Sequence, residues 1–227
     1  MNQKASPGED EIHISWISNA PRNFQEALIH TFNLCYSQGV FPQQWKQAII
    51  TPVAKQGKPK DDPHSYRPIV CLPTLGKLFE RMLYNRVQWY TETNNILPKY
   101  QAGFRAYHST IDIILKLVTD AQKTMNEGLI MGAVLIDLEG AYDNAQKEIL
   151  GERLYALGFP QPIRKLIDSF LDKRTFKVKV NGKLSSSRPI EKGLPQGAVL
   201  SCLLFILYMT ALKIDSPHGI FADDIGA

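Results

Sequence analysis

Cysteine is scarce in this chain: three residues in 227, Cys35, Cys71 and Cys202. Scattered in this way they build neither a disulfide framework nor a Cys-rich zinc site, and small buried thiols in a reducing compartment are expected. Long apolar runs are also missing. The longest, Ala198 to Leu212, is interrupted by Ser201 and Thr210. It is too short for a bilayer span and reads as a buried helix. The polar N-terminal segment, Met1 to Asp10, lacks the apolar core of a secretory signal. No membrane partner and an intracellular location, nuclear or cytoplasmic, are therefore expected. There is no internal repeat and no low-complexity tract. Hydrophobic residues at 44% and charged residues at 21% exclude disordered, collagen-like and fibrous classes, and the chain is long enough to bury a core.

Acidic residues are under-represented in one stretch. Between Phe41 and Thr110, ten Lys and Arg face only Asp61, Asp62, Glu80 and Glu92, although the whole chain carries just +4. A basic front half beside an acidic remainder suits a polyanion partner, with carboxylates gathered elsewhere for another purpose.

Periodicity predicts the elements. Phe24, Ala27, Leu28, Phe32 and Cys35 mark a helix that Gly39 stops. Ile49, Ile50 and Val53 suggest a short strand, and Lys55 to Pro68 a polar loop. Leu75, Leu78, Phe79, Met82, Leu83, Val87 and Tyr90 line one face of a second helix. A third, capped at Ser109 or Thr110, carries Ile113, Ile114, Leu117, Val118, Ala121 and Met125. Met131 to Leu138 is an apolar strand that ends on Asp137. Two helices follow, separated by Gly158 and Pro160. Phe176, Val178 and Val180 alternate with lysines, and Asn181-Gly182 signals a hairpin. The apolar Ala198 helix is expected to pack on the back of a sheet formed with Ile220 to Ala222 and a strand returning at Ile225. This is an α+β pattern with an antiparallel sheet and helices on one face.

Three stretches carry chemistry. In Ile136-Asp137-Leu138-Glu139-Gly140-Ala141-Tyr142-Asp143 a strand delivers a carboxylate at its end. Phe221-Ala222-Asp223-Asp224 puts adjacent carboxylates at a hairpin tip. Gly193-Leu194-Pro195-Gln196-Gly197 is a rigid loop before a helix. Asp is common in turns, so the acidic pair alone says little. An acid closing an apolar run is a poor choice without a partner. If the strands bearing Asp137 and Asp223 are neighbours, their carboxylates converge, and Mg²⁺ suits converging carboxylates that also receive phosphate oxygens.

The order of motifs resembles the reverse transcriptase domain of non-LTR (LINE-type) retrotransposons. Phe41-Pro42 with Trp45-Lys46, Ser65-Tyr66-Arg67-Pro68-Ile69 and Gly76-Lys77-Leu78-Phe79-Glu80-Arg81 are similar to its N-terminal extension and first fingers block. Gln101-Ala102-Gly103-Phe104-Arg105 with His108-Ser109-Thr110 is similar to the second block. The Asp137 to Asp143 stretch, Gly193 to Leu204, and Phe221 to Asp224 resemble the first palm motif, the Pro-Gln-Gly motif with its helix, and the acidic palm motif.

The resemblance implies a right-hand polymerase with an N-terminal helical extension over 1–40, fingers over 41–130, and an incomplete palm over 131–227 interleaved with the fingers. No thumb motif follows, which implies a weak grip on duplex and poor polymerisation by these 227 residues alone. Asp137, Asp223 and Asp224 are implied as catalytic ligands of two Mg²⁺ ions. Tyr142 is implied as the gate against the sugar's 2′-hydroxyl, Gln196 and Gly197 as contacts to nucleotide and template, and Lys77, Arg81 and Arg67 as triphosphate contacts. The implied activity is that of an RNA-directed DNA polymerase, a nucleotidyltransferase working with RNA template, DNA primer and dNTPs. The alternative is a truncated, non-catalytic remnant that keeps only nucleic-acid binding. Cys202 stands where the family usually has proline, and both being small, little effect is expected.

Overall fold

The computed structural model describes residues 7–212, 214 and 219–226. The chain opens with α1 (Ile14–Ser18) and α2 (Arg22–Gln38), then β1 (Gln47–Ala54), β2 (Tyr66–Cys71), α3 (Thr74–Thr93) and α4 (Thr110–Asn126). Next come β3 (Leu135–Asp137), α5 (Ala141–Asn144), α6 (Lys147–Ala156), α7 (Gln161–Leu171), β4 (Thr175–Val180), β5 (Lys183–Leu184) and β6 (Arg188–Pro189). The described part ends with α8 (Ser201–Met209), β7 (Gly219–Phe221) and β8 (Asp224–Gly226).

Local chemistry sets many of these boundaries. Ser109 and Asp112 form a reciprocal capping box at the start of α4, which satisfies two otherwise orphaned N–H groups. Pro160 precedes the first turn of α7. Asn181 and Gly182 both take positive φ, 50° and 78°, as the twist of the two-residue β4–β5 hairpin requires.

Two sheets form. The first has the order β2-β1-β4-β5, with β6 beside β4. In it, β1 and β2 are antiparallel from Ile49↔Cys71 to Ala54↔Tyr66. The strand β2 was hidden in what reads as a polar, Pro-containing segment. β1 also pairs in parallel with β4, from Gln47↔Thr175 to Ile50↔Val178. That pairing stitches a strand from 131–227 into a sheet begun within 41–130. The second sheet is antiparallel, with the order β3-β8-β7.

The core centres on α8. Leu203, Leu204, Phe205, Ile206, Leu207 and Met209 are all buried. They share one cluster with Leu150 and Leu154 of α6, Leu166, Ile167 and Phe170 of α7, and Ile220 and Ile225 of the second sheet. The helix is shorter than Ala198–Leu212 because the residues before Ser201 are used in turning the chain. Phe41 meets Phe79 at 5.6 Å and Phe170 at 5.1 Å, which joins α3 to α7.

Two expectations of burial fail. No residue of α4 is buried, and Ile114 and Met125, both on its expected inward face, are mostly exposed. Only three residues of the apolar run ending at Asp137 form strand, and Leu135 is 82% exposed. Periodicity marks an apolar face but not what lies against it.

Two side chains of opposite charge are taken into the core. Glu80 on α3 is fully buried and Arg174 is 2% exposed. Arg174 Nη1 donates to the Phe170 carbonyl at 3.0 Å, with the guanidinium over the Phe170 ring. Burial pushes the Glu80 carboxyl up to about 7, opposed by the Arg174 charge and by backbone hydrogen bonds from Leu200 and Val199. Its ordinary value is 4.5, so the folded chain holds this proton more tightly than the unfolded chain between those two pH values. The proton-linked contribution is therefore full below pH 4.5 and is lost as pH rises through about 7.

Urea denaturation of wild type and Glu80→Gln across pH 4 to 9 checks this. The stability difference, wild type minus variant, should decline up to about pH 7 and level off above it. In the same assay Leu204→Ala should cost about 2–5 kcal/mol. Leu115→Ala, on the exposed face of α4, should stay within about 0.5–1 kcal/mol.

Candidate active site

β8 lies between β3 and β7, so the acids of two distant stretches meet. Asp137 is directly opposite Asp224, and Ile136 is opposite Ile225. Directly opposed residues in an antiparallel pair have Cα atoms about 4.5–5.5 Å apart and point to the same face. Asp223 is the adjoining residue, in the two-residue turn between Phe221 and Asp224. Its Cα is one peptide step, about 3.8 Å, from that of Asp224. All three carboxylates therefore sit at one end of one small sheet.

Asp137 and Asp224 are exposed and Asp223 is half-buried. Among the described residues, no group of three or more His, Cys, Asp or Glu side chains is gathered closely enough to hold a metal ion. Opposed like charges favour splayed side chains in water. The residue types themselves, two exposed carboxylates with a half-buried third next in the chain, suit a hard cation that keeps water or phosphate oxygens as its other ligands. A cavity of about 270 Å³ beside it is lined by Ile113 of α4 together with Asp137, Phe221 and Asp224.

Tyr142 lies in the stretch that follows Asp137, on α5. It stacks on Phe205 with ring centroids 4.6 Å apart and meets the edge of Phe104 at 6.4 Å. Burial pushes its hydroxyl upward in pKa. The Cys202 side chain, through charge and a hydrogen bond, and the Asp223 carboxylate push the same way. Asp223 is thus within electrostatic reach of the ring. The Cys202 thiol therefore lies near the Tyr142 hydroxyl.

Gln196 is exposed and donates to Asp143 Oδ1 at 3.0 Å, one residue from Tyr142. With Pro68, Val70, Phe176 and Lys192 it lines a second cavity of about 270 Å³, between the first sheet and the Gly193–Gly197 loop. Gly197 lies close to Val70, where a Cβ would sit 3.2 Å from the Val70 carbonyl oxygen. Arg67 is exposed on β2, opposite Val53. Lys77 and Arg81 lie one turn apart on α3. Arg81 places its guanidinium over the Tyr84 ring at 5.2 Å, and Lys77 is close enough to bias Glu80.

The reverse transcriptase (RNA-dependent DNA polymerase) family profile matches residues 57–226. The chain belongs to the reverse transcriptase family. It is 36% identical over 215 residues to the RNA-directed DNA polymerase from mobile element jockey of Drosophila melanogaster, covering 94% of this chain and 23% of that protein. It is 34% identical over 232 residues to the probable RNA-directed DNA polymerase from transposon BS of the same fly, covering 98% of this chain and 26% of that protein. The chain thus spans about a quarter of the length of these curated relatives. Among solved structures, apo telomerase from Candida tropicalis, truncated from its C-terminal domain, superposes with a TM-score of 0.58 at 14% identity, over 92% of this chain and 51% of that one. Telomerase from Candida albicans in complex with a TWJ fragment of telomeric RNA gives 0.55 at 15% identity, over 91% and 42%. The α+β fold is that of polymerase fingers and palm, with an antiparallel palm sheet backed by helices.

This reverse transcriptase domain also uses residues that a search for catalytic side chains passes over. Ala102 N donates to the Ile220 carbonyl at 2.9 Å, and Ile220 N donates to the Tyr100 carbonyl at 2.8 Å, so the Gln101–Gly103 segment runs along β7. Gly103 then backs directly onto the acidic turn, where a Cβ would fall 2.1 Å from the Ala222 nitrogen. Ala222 itself takes φ 58° at the first turn position, a conformation that is costly for any residue with a side chain. The available signal was a glycine inside the Gln101 to Arg105 motif. Gly103→Ala should therefore disturb the turn more than the core. Hydrogen exchange should quicken over 219–226 while α6 and α7 keep their protection.

Proposed function

We propose that this chain is the polymerising part of an RNA-directed DNA polymerase, adding dNTPs to the 3′-hydroxyl of a DNA primer on an RNA template. The observation that carries this reading is the register that sets Asp137 opposite Asp224, with Asp223 in the adjoining turn. Asp137, Asp223 and Asp224 are the residues that would hold two Mg²⁺ ions. When bound, such ions activate the attacking hydroxyl and neutralise charge on the departing pyrophosphate.

The remaining work belongs to the chain's own side chains. Tyr142, held flat against Phe205, closes the space on the sugar's 2′ side and so selects dNTP over rNTP. Lys77 and Arg81, on one face of α3, take the triphosphate, with Arg67 approaching from β2. Gln196, braced by Asp143, and Gly197, which lets the loop lie close to Val70, bear on the nucleotide and template. The basic excess over 41–110 supplies sequence-independent, salt-sensitive contacts to nucleic-acid backbones.

Primer extension by the intact polypeptide on an RNA template tests the reading. Asp223→Asn should abolish extension while leaving nucleic-acid affinity within about threefold, since backbone contacts dominate that affinity. EDTA should stop the reaction and excess Mg²⁺ restore it. Tyr142→Ala should raise rNTP incorporation relative to dNTP. Salt-sensitive RNA binding with no Asp223-dependent extension would favour a binding-only remnant.

A further inference from the structure

Helix α8 begins without a capping side chain of its own, because Leu200 stands at its N-cap. The N–H groups at a helix start need acceptors. Glu80, from α3 and more than a hundred residues earlier, supplies one. Its Oε2 accepts from Val199 N at 2.8 Å and from Leu200 N at 3.4 Å. Among the described residues Oε1 has no hydrogen-bond partner, and neither do Arg174 Nε and Nη2. Glu80 and Arg174 act on each other through charge, and among the described residues the carboxylate's hydrogen bonds go to the turn that enters α8.

We propose that Glu80 is a positioning residue for the nucleotide site, tying the helix that carries Lys77 and Arg81 to the start of α8 and so fixing the Gly193–Gly197 loop and the Tyr142 ring in one geometry. This rests on the nucleotide site proposed above. The chain of contacts is continuous. Ser201 Oγ donates to the Pro195 carbonyl at 2.8 Å, which locks the first residue of α8 to the loop. Leu194 N donates to the Tyr142 carbonyl at 2.8 Å and Gly193 N to the Ala145 carbonyl at 3.0 Å, which locks the loop to α5 and the residue that follows it. Phe205, one turn into α8, is the face on which Tyr142 stacks. A shift of α8 along its axis would move Gln196 and Tyr142 together. Lys77 and Arg81, at three residues before and one after Glu80, flank it on α3. Among the described residues, the charged groups that face Glu80 are Arg174, between α7 and β4, and Lys77 on its own helix, while the turn entering α8 presents the backbone N–H groups of Val199 and Leu200.

The test compares wild type, Glu80→Gln and the double variant Glu80→Leu/Arg174→Met in the intact polypeptide. The amide of Gln keeps an acceptor for Val199 and Leu200. The double variant replaces a buried pair with apolar groups, which commonly preserves stability, and removes the acceptor. Amide hydrogen exchange is read over 193–205 and over α7. The double variant should exchange about tenfold or more faster over 193–205 only, and Glu80→Gln should stay within about threefold of wild type. In primer extension the double variant should raise the KM for dNTP about tenfold with kcat changed less than about threefold, and Glu80→Gln should restore KM.

Wild-type exchange or wild-type KM in a folded double variant overturns the proposal, as does a Glu80→Gln variant equal to it. Should the double variant not fold, the amide resonances of Val199 and Leu200 decide. They should shift with an inflection near pH 7 in wild type and not in Glu80→Gln, and its absence from wild type overturns the tie. Exchange as expected in a wild-type chain that extends no primer would sink the proposed activity and leave the tie standing.

Discussion

Asp137 and Asp224 face each other on neighbouring strands, and like charges so placed repel. In water that repulsion amounts to about 1 kcal/mol at ~4 Å. Full burial of one Ile side chain contributes about 1.5–3 kcal/mol. Ile220 and Ile225, both nearly fully buried on β7 and β8, anchor the hairpin that carries one of the two acids. The turn is backed by Gly103 and by the hydrogen bonds of residues 100–102 to β7. The hairpin can keep its acids at the solvent edge because apolar packing and a close backbone approach fix it from within.

The same logic places α8 at the centre. Its apolar surface is continuous, so it can be covered on every side, and α6, α7 and the second sheet do so. A helix buried all round cannot rotate toward water to satisfy its first N–H groups. Its N-terminus accordingly meets a carboxylate from another element, although burying that carboxylate is costly. The loop before α8 inherits this rigidity, and Tyr142 inherits it through Phe205.

The outward faces of β3 and α4 are different. Ile114, Leu117, Val118 and Met125 of α4 and Leu135 of β3 are exposed although their spacing is that of an inward face. Apolar periodicity reports that a surface avoids water. It does not report which surface covers it, because any apolar neighbour serves equally.

Much of the site was legible along the chain. Asp137 and the Asp223-Asp224 pair stand at the ends of short apolar runs, and Pro195-Gln196-Gly197 precedes an apolar stretch. The hairpin at Asn181-Gly182 and the cap at Ser109 were equally plain, since each depends on residues a few positions apart. Glu80 left a fainter trace, lying in helical register with Gly76, Leu83 and Val87, which are all buried, so that an acid on that face asks for a distant partner. What the sequence determined by itself is therefore many of the local conformations and the identity of the candidate site groups. Tertiary structure alone decided that β4 pairs in parallel with β1, that Asp224 rather than Asp223 lies opposite Asp137, that Cys202 meets Tyr142, and that Glu80 caps α8. These are pairings between residues far apart in the chain. Short-range propensity carries no information about them, because they are selected by the joint packing of the whole core.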